Sequence, residues 1–173
     1  MARASNGCGG DGVKADEEHF RALVRRHGTG LLRMCLLYLG DRQLAEDAVQ
    51  ETFWKAFRAM DKFRGESEIG TWLTRIAINT CKTMRRASWL RARPTDRLPE
   101  AGAPDRYEDA TVARAVMRLP RKERECVILY YYREMRADEV AQTLGVTREA
   151  VYNRLKRARA RFKDRLKGWY FDE

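Results

Sequence analysis

Apolar residues recur at steps of three and four along the first half of the chain, which is the spacing of one face of an α-helix. The pattern predicts a first helix that begins at the N-cap Asp16, bends or breaks at Gly28 and Gly30, and ends at Gly40. A second helix is predicted after a cap at Asp41. Its inner stripe comprises Leu44, Ala45, Ala48, Val49, Thr52, Phe53, Ala56, Phe57 and Met60.

Two glycines and a serine interrupt this pattern in the sequence FRGESEIG (residues 63–70) and predict a loop. A third helix is predicted from Thr71, with an inner stripe of Trp72, Leu73, Ile76, Ala77, Cys81 and Met84. Three prolines, a glycine and several acidic residues then predict a linker between residues 92 and 106.

Further helices are predicted around residues 109–119 and 121–134. The sequence CVILYYY (residues 126–132) has β-propensity, but charged helical sequence flanks it and no partner strand is evident, so a helix is favoured. The predicted fold class is therefore all-α, with two small helical domains joined by a flexible linker. The expected division is a disordered tail (1–15), a first domain (16–91), the linker (92–108) and a second domain (109–173).

Charge is unevenly distributed along the 173 residues, whose formal net charge is +10. Residues 148–167 contain nine basic and two acidic residues, a net charge of +7. Residues 96–109 contain five acidic and two basic residues, a net charge of −3. A basic segment of this kind indicates an anionic partner, either nucleic acid or a membrane surface.

The four cysteines lie far apart in the sequence, with no C-x-x-C pair and no nearby histidine. They are expected to be small apolar residues, and no metal, cofactor or catalytic residue is expected. No signal peptide is evident, and the longest apolar stretch, LLRMCLLYL, is too short to cross a bilayer. We therefore expect a cytoplasmic protein that does not insert into a membrane.

A helix-turn-helix is predicted near the C-terminus. Ala141, Gly145 and Val151 have the spacing of the small residue, the turn glycine and the anchoring residue of that motif, and Thr147 is a candidate N-cap. Two ordinary bundle helices would share the apolar pattern, but a bundle gains nothing from the clustered positive charge. We expect duplex DNA to be contacted by Arg148, Tyr152, Asn153, Arg154, Lys156 and Arg157.

A second basic strip lies on the helix predicted from Thr71, where Arg75, Asn79, Lys82, Arg85 and Arg86 occupy the outer side. A loop, an aromatic residue and a basic strip together are typical of proteins that bind single-stranded nucleic acid. Trp72 also lies on the apolar stripe, so a place in the core is the alternative for this residue.

Three segments of the chain resemble regions two and four of the extracytoplasmic function (ECF) sigma factors of bacterial RNA polymerase. They are RQLAEDAVQETFWKAF, FRGESEIGTWLTRIAINT and LPRKERECVILYYYREMRADEVAQTLGVTREAVYNRLKRARARF. The resemblance covers roughly residues 17–168 and implies a protein that binds core polymerase, recognises −35 and −10 promoter elements and opens DNA.

The resemblance also implies roles for particular residues. The surface similar to the one that docks on the β′ clamp helices comprises Glu46, Asp47, Gln50, Glu51 and Trp54, for which a solvated acidic face is the alternative. The element that resembles the −10 contact comprises Arg64, Ser67, Trp72, Arg75, Asn79 and Lys82. The helix-turn-helix resembles the −35 contact and would also touch the β-flap. The acidic linker would thread the polymerase cleft in place of a nucleic-acid strand.

One segment departs from the family pattern. Many members have a Gly-Thr-Val-Lys-Ser-Arg-like sequence at the start of the recognition helix, whereas this chain has Glu-Ala-Val-Tyr-Asn-Arg at residues 149–154. The −35 sequence cannot therefore be taken from relatives. Since no further domain follows residue 167, we expect control by a separate anti-sigma factor.

Two other classes of function compete with this interpretation. A free-standing helix-turn-helix regulator would use the same C-terminal motif but usually has an effector or dimerisation domain. A nucleic-acid enzyme would need clustered carboxylates or a metal site. The acidic groups at Glu46, Asp47 and Glu51, and at Glu66 and Glu68, have no histidine nearby in the sequence.

Overall fold

The computed structural model describes the backbone of residues 10–91 and 107–170, and the side chains of residues 18–87 and 112–163. The described residues form α-helices and contain no strand, which confirms the all-α fold class. The helices are α1 (Gly10–Leu39), α2 (Arg42–Ala59), α3 (Ile69–Arg91), α4 (Tyr107–Met117), α5 (Arg121–Val127), α6 (Ala137–Leu144) and α7 (Arg148–Tyr170). A 3₁₀ turn (Met60–Lys62) follows α2, and a π-helical turn (Ile128–Tyr132) follows α5.

Helix α1 is longer than the sequence predicted and is not interrupted. It begins at Gly10 rather than Asp16, and it continues through Gly28 and Gly30 without a break. A Cβ at Gly28 would lie 3.9 Å from the Phe53 ring, and one at Gly30 only 2.8 Å from the Arg133 guanidinium. Glycine therefore allows close approach of neighbouring side chains here, and does not form a turn.

Helices α1, α2 and α3 pack together as the N-terminal half. The predicted cap of α2 is confirmed, since the Leu44 amide donates to the Asp41 carboxylate at 2.8 Å. Small residues on α2 allow its neighbours to approach closely. The fully buried residues of this half include Leu31, Met34, Cys35, Ala45, Ala48, Ala56, Leu73, Ala77, Ile78 and Cys81.

The described cysteines are buried and form no disulfide bond, as expected of small apolar residues. The sulfur atoms of Cys35 and Cys81 lie 3.5 Å apart between α1 and α3. Their hydrogen bond and burial raise the pKa of the Cys81 thiol. Cys126 is also fully buried, and Cys8 lies outside the described residues, as do the predicted tail up to residue 9 and the predicted linker from residue 92 to 106.

The sequence CVILYYY is helical, which confirms the preference for a helix over a strand. Its last turn is wide, because the Arg133 amide donates to the Ile128 carbonyl at 3.0 Å, five residues back. The apolar side of this segment is in the core, where Cys126 and Leu129 are fully buried. The turn ends at Tyr132, and Glu134, in the short connection to α6, has a φ of 52°.

Helices α6 and α7 form the predicted helix-turn-helix. Gly145 has φ 68° and ψ 44°, and the following Val146 amide donates to the Ala141 carbonyl at 3.0 Å. The Thr147 hydroxyl accepts from the Ala150 amide at 3.2 Å, which confirms the predicted cap. Val151 is fully buried between the two helices. This turn therefore sets the angle at which α7 leaves the domain.

The two halves are in contact, which the sequence did not predict. Tyr38 of α1 is 2% exposed and donates a 2.8 Å hydrogen bond to the Glu125 carboxylate of α5, which is 7% exposed. The Arg121 guanidinium donates to the same oxygen of Glu125 at 2.6 Å. Burial and the neighbouring Glu125 carboxylate raise the pKa of Tyr38 to about 12.

Replacing Tyr38 by Phe tests the contribution of this buried hydrogen bond. We expect the Tyr38→Phe variant to lower the free energy of unfolding at pH 7 by about 1–3 kcal/mol, because the Glu125 carboxylate loses a buried donor. Urea unfolding followed by circular dichroism measures the change. The matched control is Tyr131→Phe, since Tyr131 is 51% exposed and should change stability by less than about 0.5 kcal/mol.

The stability difference between wild-type protein and Tyr38→Phe should also depend on pH. Tyr38 has a higher pKa when folded than the value of about 10 expected when unfolded, so its contribution is complete below pH 10. Above pH 10 the unfolded chain loses the phenolic proton first, and the contribution disappears as pH approaches about 12. The charged neighbours of the Tyr38 side chain are Glu125, Arg121, Arg85 and Arg124. A difference that stayed constant from pH 9 to pH 12 would contradict this account.

Replacing Gly145 by Ala tests the turn. We expect Gly145→Ala to lower the free energy of unfolding by about 1 kcal/mol, because a side chain is strained at positive φ. Gly28→Ala is the matched control, because Gly28 is helical and a Cβ there meets only ordinary contact. It should leave stability unchanged or raise it by up to about 1 kcal/mol. Equal losses in urea unfolding of the two variants would refute the assignment of strain to Gly145.

Candidate nucleic-acid interface

Helix α7 presents the residues predicted to contact duplex DNA on its outer surface. Val151, Leu155 and Ala158 are fully buried and attach the helix to the domain. Five of the six predicted residues are exposed and Arg154 is half-buried. The spacing of buried positions thus places Arg148, Tyr152, Asn153, Lys156 and Arg157 on the side that faces solvent.

The first turn of α7 is ordered by contacts between side chains. The Arg148 guanidinium lies 3.4 Å from the Asp138 carboxylate of α6 and 5.6 Å from the centre of the Tyr152 ring. It also lies 3.4 Å from the Tyr152 hydroxyl. These contacts connect the two helices of the motif and orient two of the predicted DNA-contacting residues. Side chains that are already ordered lose less conformational entropy on binding.

A buried carboxylate on α5 holds part of the basic helix, and sequence reasoning did not single it out. Glu123 is 5% exposed, and its oxygens lie 3.5 Å from Arg157 Nε and 3.0 Å from Arg161 Nε. Two arginines one turn apart on α7 therefore share one anion of the domain. The sequence contained a signal for this residue. Glu123 follows Pro120 within one turn, so it lies near the start of α5, where side chains are buried.

The predicted loop and the start of α3 form a second candidate surface. Arg64 is exposed, Ser67 and Trp72 are half-buried, and Asn79 is exposed on the outer side of α3. The Trp72 ring lies 5.0 Å from the Phe63 ring at an angle of 43°. Trp72 therefore packs against an aromatic neighbour at the edge of the core, and it keeps part of its surface accessible. Helix α3 begins at Ile69, two residues before the predicted Thr71.

Two cations of the basic strip on α3, Arg75 and Lys82, contact the C-terminal half, whereas Arg86 is exposed. Arg75 Nη2 donates to the Gln142 side chain of α6 at 2.8 Å, and Lys82 Nζ donates to the Thr143 carbonyl at 3.1 Å. Both cations are half-buried, and burial lowers the pKa of Lys82. The sequence predicted an exposed strip, and the structure differs at these two residues because their side chains contact α6.

The residues predicted to bind polymerase lie on the outer face of α2. Trp54 is 57% exposed, Asp47 and Gln50 are exposed, and Glu46 and Glu51 are half-buried. Glu46 pairs with Arg42 at 2.9 Å and Glu51 with Lys55 at 3.2 Å, each one turn apart. The acidic side of the face is therefore partly neutralised by its own helix.

An apolar groove of about 600 Å³ lies beside this acidic face, between α1 and α2. Phe57 was predicted to belong to the inner stripe of α2, and this is wrong because its side chain is 50% exposed at the groove. The Phe57 ring contacts the Phe20 ring with centroids 5.0 Å apart, and Phe20 also contacts Phe53. The apolar side of α2 is wider than the area that the neighbouring helices bury, so Trp54 and Phe57 remain exposed.

The described residues contain no group of three or more histidine, cysteine, aspartate or glutamate side chains that could hold a metal ion. In that same part of the chain, no helix is both long and apolar enough to pass through a bilayer.

Comparison with known proteins identifies two conserved family regions in the chain. The family model for Sigma-70 region 2 matches residues 23–91, and the model for Sigma-70, region 4 matches residues 110–162. The chain is 36% identical over 163 residues to the ECF RNA polymerase sigma factor SigM of Mycobacterium tuberculosis, covering 91% of this chain and 81% of that one. It is 30% identical over 164 residues to the RNA polymerase sigma-H factor of Pseudomonas aeruginosa, covering 84% and 85%.

Solved structures show the same fold. CnrH, in complex with the cytosolic domain of CnrY, matches with a TM-score of 0.65 and 29% identity, covering 88% of this chain and 90% of that one. The sigma factor RpoE of Bartonella quintana, in complex with the anti-sigma factor NepR, matches with a TM-score of 0.70 and 22% identity, covering 90% and 99%. The two regions occur in order in one chain of similar length to its relatives. The chain therefore belongs to the ECF family of RNA polymerase sigma factors.

Proposed function

We propose that the chain binds core RNA polymerase, recognises a promoter through its −35 and −10 elements and opens the DNA to start transcription. The observation that carries the proposal is the presence of region 2 and region 4 in one chain, each with its own basic surface. The chain is an initiation factor, and in this proposal the polymerase supplies all bond chemistry. The site of action is then the cytoplasm, where bacterial polymerase works.

The proposed division of labour follows the two halves. Residues 16–91 bind polymerase and the −10 element, residues 109–173 bind the −35 element, and residues 92–108 connect them. The connecting residues carry acidic side chains that would follow the path of nucleic acid through the polymerase. Two DNA elements at a set separation then select a promoter that neither half could select alone.

Helix α7 is proposed to enter the major groove at the −35 element. Arginine pairs well with guanine edges and asparagine with adenine edges, so Arg148, Arg157 and Asn153 are the candidates for base contacts. Lys156 and Arg154 are proposed to contact phosphates, and Tyr152 is exposed on the same helix. The opposite, apolar side of the motif is proposed to touch the β-flap.

The loop and α3 are proposed to hold the opened −10 strand. An unstacked base would be bound beside Ser67 and Trp72, and the backbone would follow Arg64, Arg75 and Lys82. Asn79 is exposed on the same helix and offers both a donor and an acceptor to a base. Binding of single-stranded DNA in this way favours the opened state of the promoter.

The face of α2 with Trp54 is proposed to bind the β′ clamp helices. An exposed tryptophan beside an apolar groove, with Glu46, Asp47 and Glu51 on the same helix, fits a helical partner that carries basic residues. Regulation is proposed to come from an anti-sigma protein, and the support is the likeness to CnrH, which was solved with the cytosolic domain of CnrY bound.

A pair of substitutions separates the two proposed surfaces. We expect Trp54→Ala to weaken binding of core polymerase by roughly 2 kcal/mol, since exposed tryptophans are frequent anchors of interfaces. We expect Arg157→Ala to leave that binding unchanged and to weaken −35 recognition by about 1–3 kcal/mol. Glu123 keeps its contact with Arg161 in that variant, so the domain stays folded.

The measurements are a pull-down with core polymerase and run-off transcription on genomic fragments. Wild-type protein that formed no complex with core polymerase, but still bound duplex DNA, would instead favour a free-standing helix-turn-helix regulator. Loss of both activities in both variants would contradict the assignment of two distinct surfaces.

Replacing Asn79 by Ala tests the −10 surface. We expect Asn79→Ala to impair promoter opening but not formation of the closed complex, because Asn79 is proposed to contact only unpaired bases. Permanganate footprinting detects unpaired thymines of the −10 element, and their reactivity should fall about tenfold, as for a lost contact worth about 1.4 kcal/mol. Thr83→Ala is the control, since Thr83 is exposed one turn further along α3. Unchanged thymine reactivity in Asn79→Ala would count against the assignment.

A further inference from the structure

The carboxylate of Glu123 meets two arginines of the helix that is proposed to read the −35 element. Glu123 lies in the first turn of α5 and is 5% exposed. Its Oε1 lies 3.5 Å from Arg157 Nε, and its Oε2 lies 3.0 Å from Arg161 Nε. The two arginines are four residues apart on α7, so their side chains lie on one face of that helix. Each guanidinium is therefore attached to its own helix and also held by a side chain of α5.

Other cations near Glu123 have partners of their own. A cleft of about 760 Å³ beside this carboxylate is also lined by Lys82 and Arg121. Lys82 donates to the Thr143 carbonyl at 3.1 Å, and Arg121 donates to the Glu125 carboxylate at 2.6 Å. The two arginines of α7 are therefore the cations that compensate the charge of Glu123.

The pairing uses only one edge of each guanidinium. The carboxylate meets Nε, which carries one of the five N–H donors, whereas the two Nη groups carry the other four. The side chains of Arg157 and Arg161 are 60% and 53% exposed, although Glu123 is buried. Among the described residues, Oε2 of Glu123 has no hydrogen-bond partner, so Arg161 is held at this oxygen by charge. Both paired arginines thus keep donors that can contact DNA.

The stability of the fold does not account for a carboxylate at position 123. Removing a carboxylate from water costs free energy, and a buried ion pair is often no more stabilising than apolar side chains of similar size. Ion pairs that involve exposed arginines contribute little as well. The effect on DNA binding is direct, because an arginine that already faces an anion gains less from contact with a phosphate.

We propose that Glu123 positions Arg157 for base recognition at the −35 element and limits the attraction of Arg157 and Arg161 for phosphates. Arg157 follows Asn153 by one turn of α7, and both are exposed. An arginine fixed in one orientation can make the paired contact to a guanine edge, whereas an unpaired arginine binds the phosphates of any duplex. Glu123 therefore raises the ratio of specific to non-specific binding. The proposal rests on the assignment of α7 to the −35 element made above.

Replacing Glu123 by Gln removes the charge and keeps the size of the side chain. The control is Glu134→Gln, which makes the same change in net charge at an exposed position outside α5 and α7. Fluorescence anisotropy measures binding of the full-length proteins to a short duplex of scrambled sequence over a series of salt concentrations. We expect Glu123→Gln to bind this duplex about threefold to tenfold more tightly than wild-type protein. The slope of log affinity against log salt should become steeper by about 1–2, since each freed cation can neutralise one more phosphate. Glu134→Gln should keep the wild-type slope.

Specific recognition should change in the opposite direction. The specific duplex is the sequence that wild-type protein selects from a random pool. We expect the ratio of specific to scrambled affinity to fall about tenfold in Glu123→Gln, as for the loss of one base contact. Because Glu123 acts through Arg157, the variants Arg157→Ala and Arg157→Ala/Glu123→Gln should have the same ratio. Glu123→Asp keeps the charge and should restore the wild-type salt slope.

A second comparison leaves Glu123 unchanged. Arg159 and Arg161 lie on opposite flanks of α7, at equal angles from the buried side, and both are exposed. Arg159→Ala should make the salt slope of non-specific binding less steep by about 1. Arg161→Ala should change the slope by clearly less, because Glu123 already neutralises Arg161. Equal changes in the two variants would refute the limit on phosphate binding.

The possible outcomes separate this proposal from the one on which it rests. Wild-type protein and Glu123→Gln with equal salt slopes and equal ratios, both helical by circular dichroism, would overturn the role of Glu123. Transcription by wild-type protein with core polymerase would then leave the sigma function intact. Weaker binding of Glu123→Gln to both duplexes alike would show a purely structural role and also contradict the proposal.

Failure of the proposed function gives a different result. Wild-type protein that supports no transcription with core polymerase, but shows the expected opposite changes on duplex DNA, would sink the sigma function and leave the role of Glu123 in place. Wild-type protein that selects no sequence from the pool would overturn both the role of Glu123 and the assignment of α7 to the −35 element.

Discussion

Burial of one side of α1 is the constraint on which the rest of the structure depends. Leu31, Met34 and Cys35 are fully buried and join α1 to α2 and α3. One turn later the same side carries Tyr38, whose hydroxyl reaches Glu125 of the other half. A single helix therefore supplies apolar area to the N-terminal core and a polar anchor to the C-terminal half. Displacement of α1 would disturb the α2 face, the α3 strip and the contact between the halves together.

Two buried carboxylates, Glu123 and Glu125, pair with basic side chains of this protein. Glu125 accepts from Tyr38 and Arg121 where the halves meet, and Glu123 holds Arg157 and Arg161 against the domain. Burying a charge is costly unless the charge is paired, and arginine side chains lie near both carboxylates. Residues 148–167 carry a net charge of +7, and Glu123 neutralises part of it, while Arg148, Asn153 and Lys156 on the outer side of α7 remain exposed.

Two turns position the helices and side chains on either side of α6. A positive φ at Gly145 allows the sharp turn that projects α7 from the domain, and the wide π turn before α6 places Arg133 against α3. Trp54 and most residues of the loop after residue 62 are exposed. Side chains of α3 and α6 also meet, where Arg75 donates to Gln142 at 2.8 Å.

The sequence alone determined the features that depend on local spacing. The helix preference of CVILYYY, the caps at Asp41 and Thr147, the turn at Gly145 and the exposure of Arg148 and Asn153 all follow from residue type and helical periodicity. Family resemblance added the pairing of two regions in one chain, which the family models confirm. Tertiary structure alone decided which polar side chains meet across the chain. Tyr38 and Glu125 are 87 residues apart, and Arg75 and Gln142 are 67 apart, so no local pattern contains either pair. Periodicity also misplaced Phe57 and overestimated the exposure of Lys82, because whether a helix face is covered depends on its neighbours and not on its own sequence.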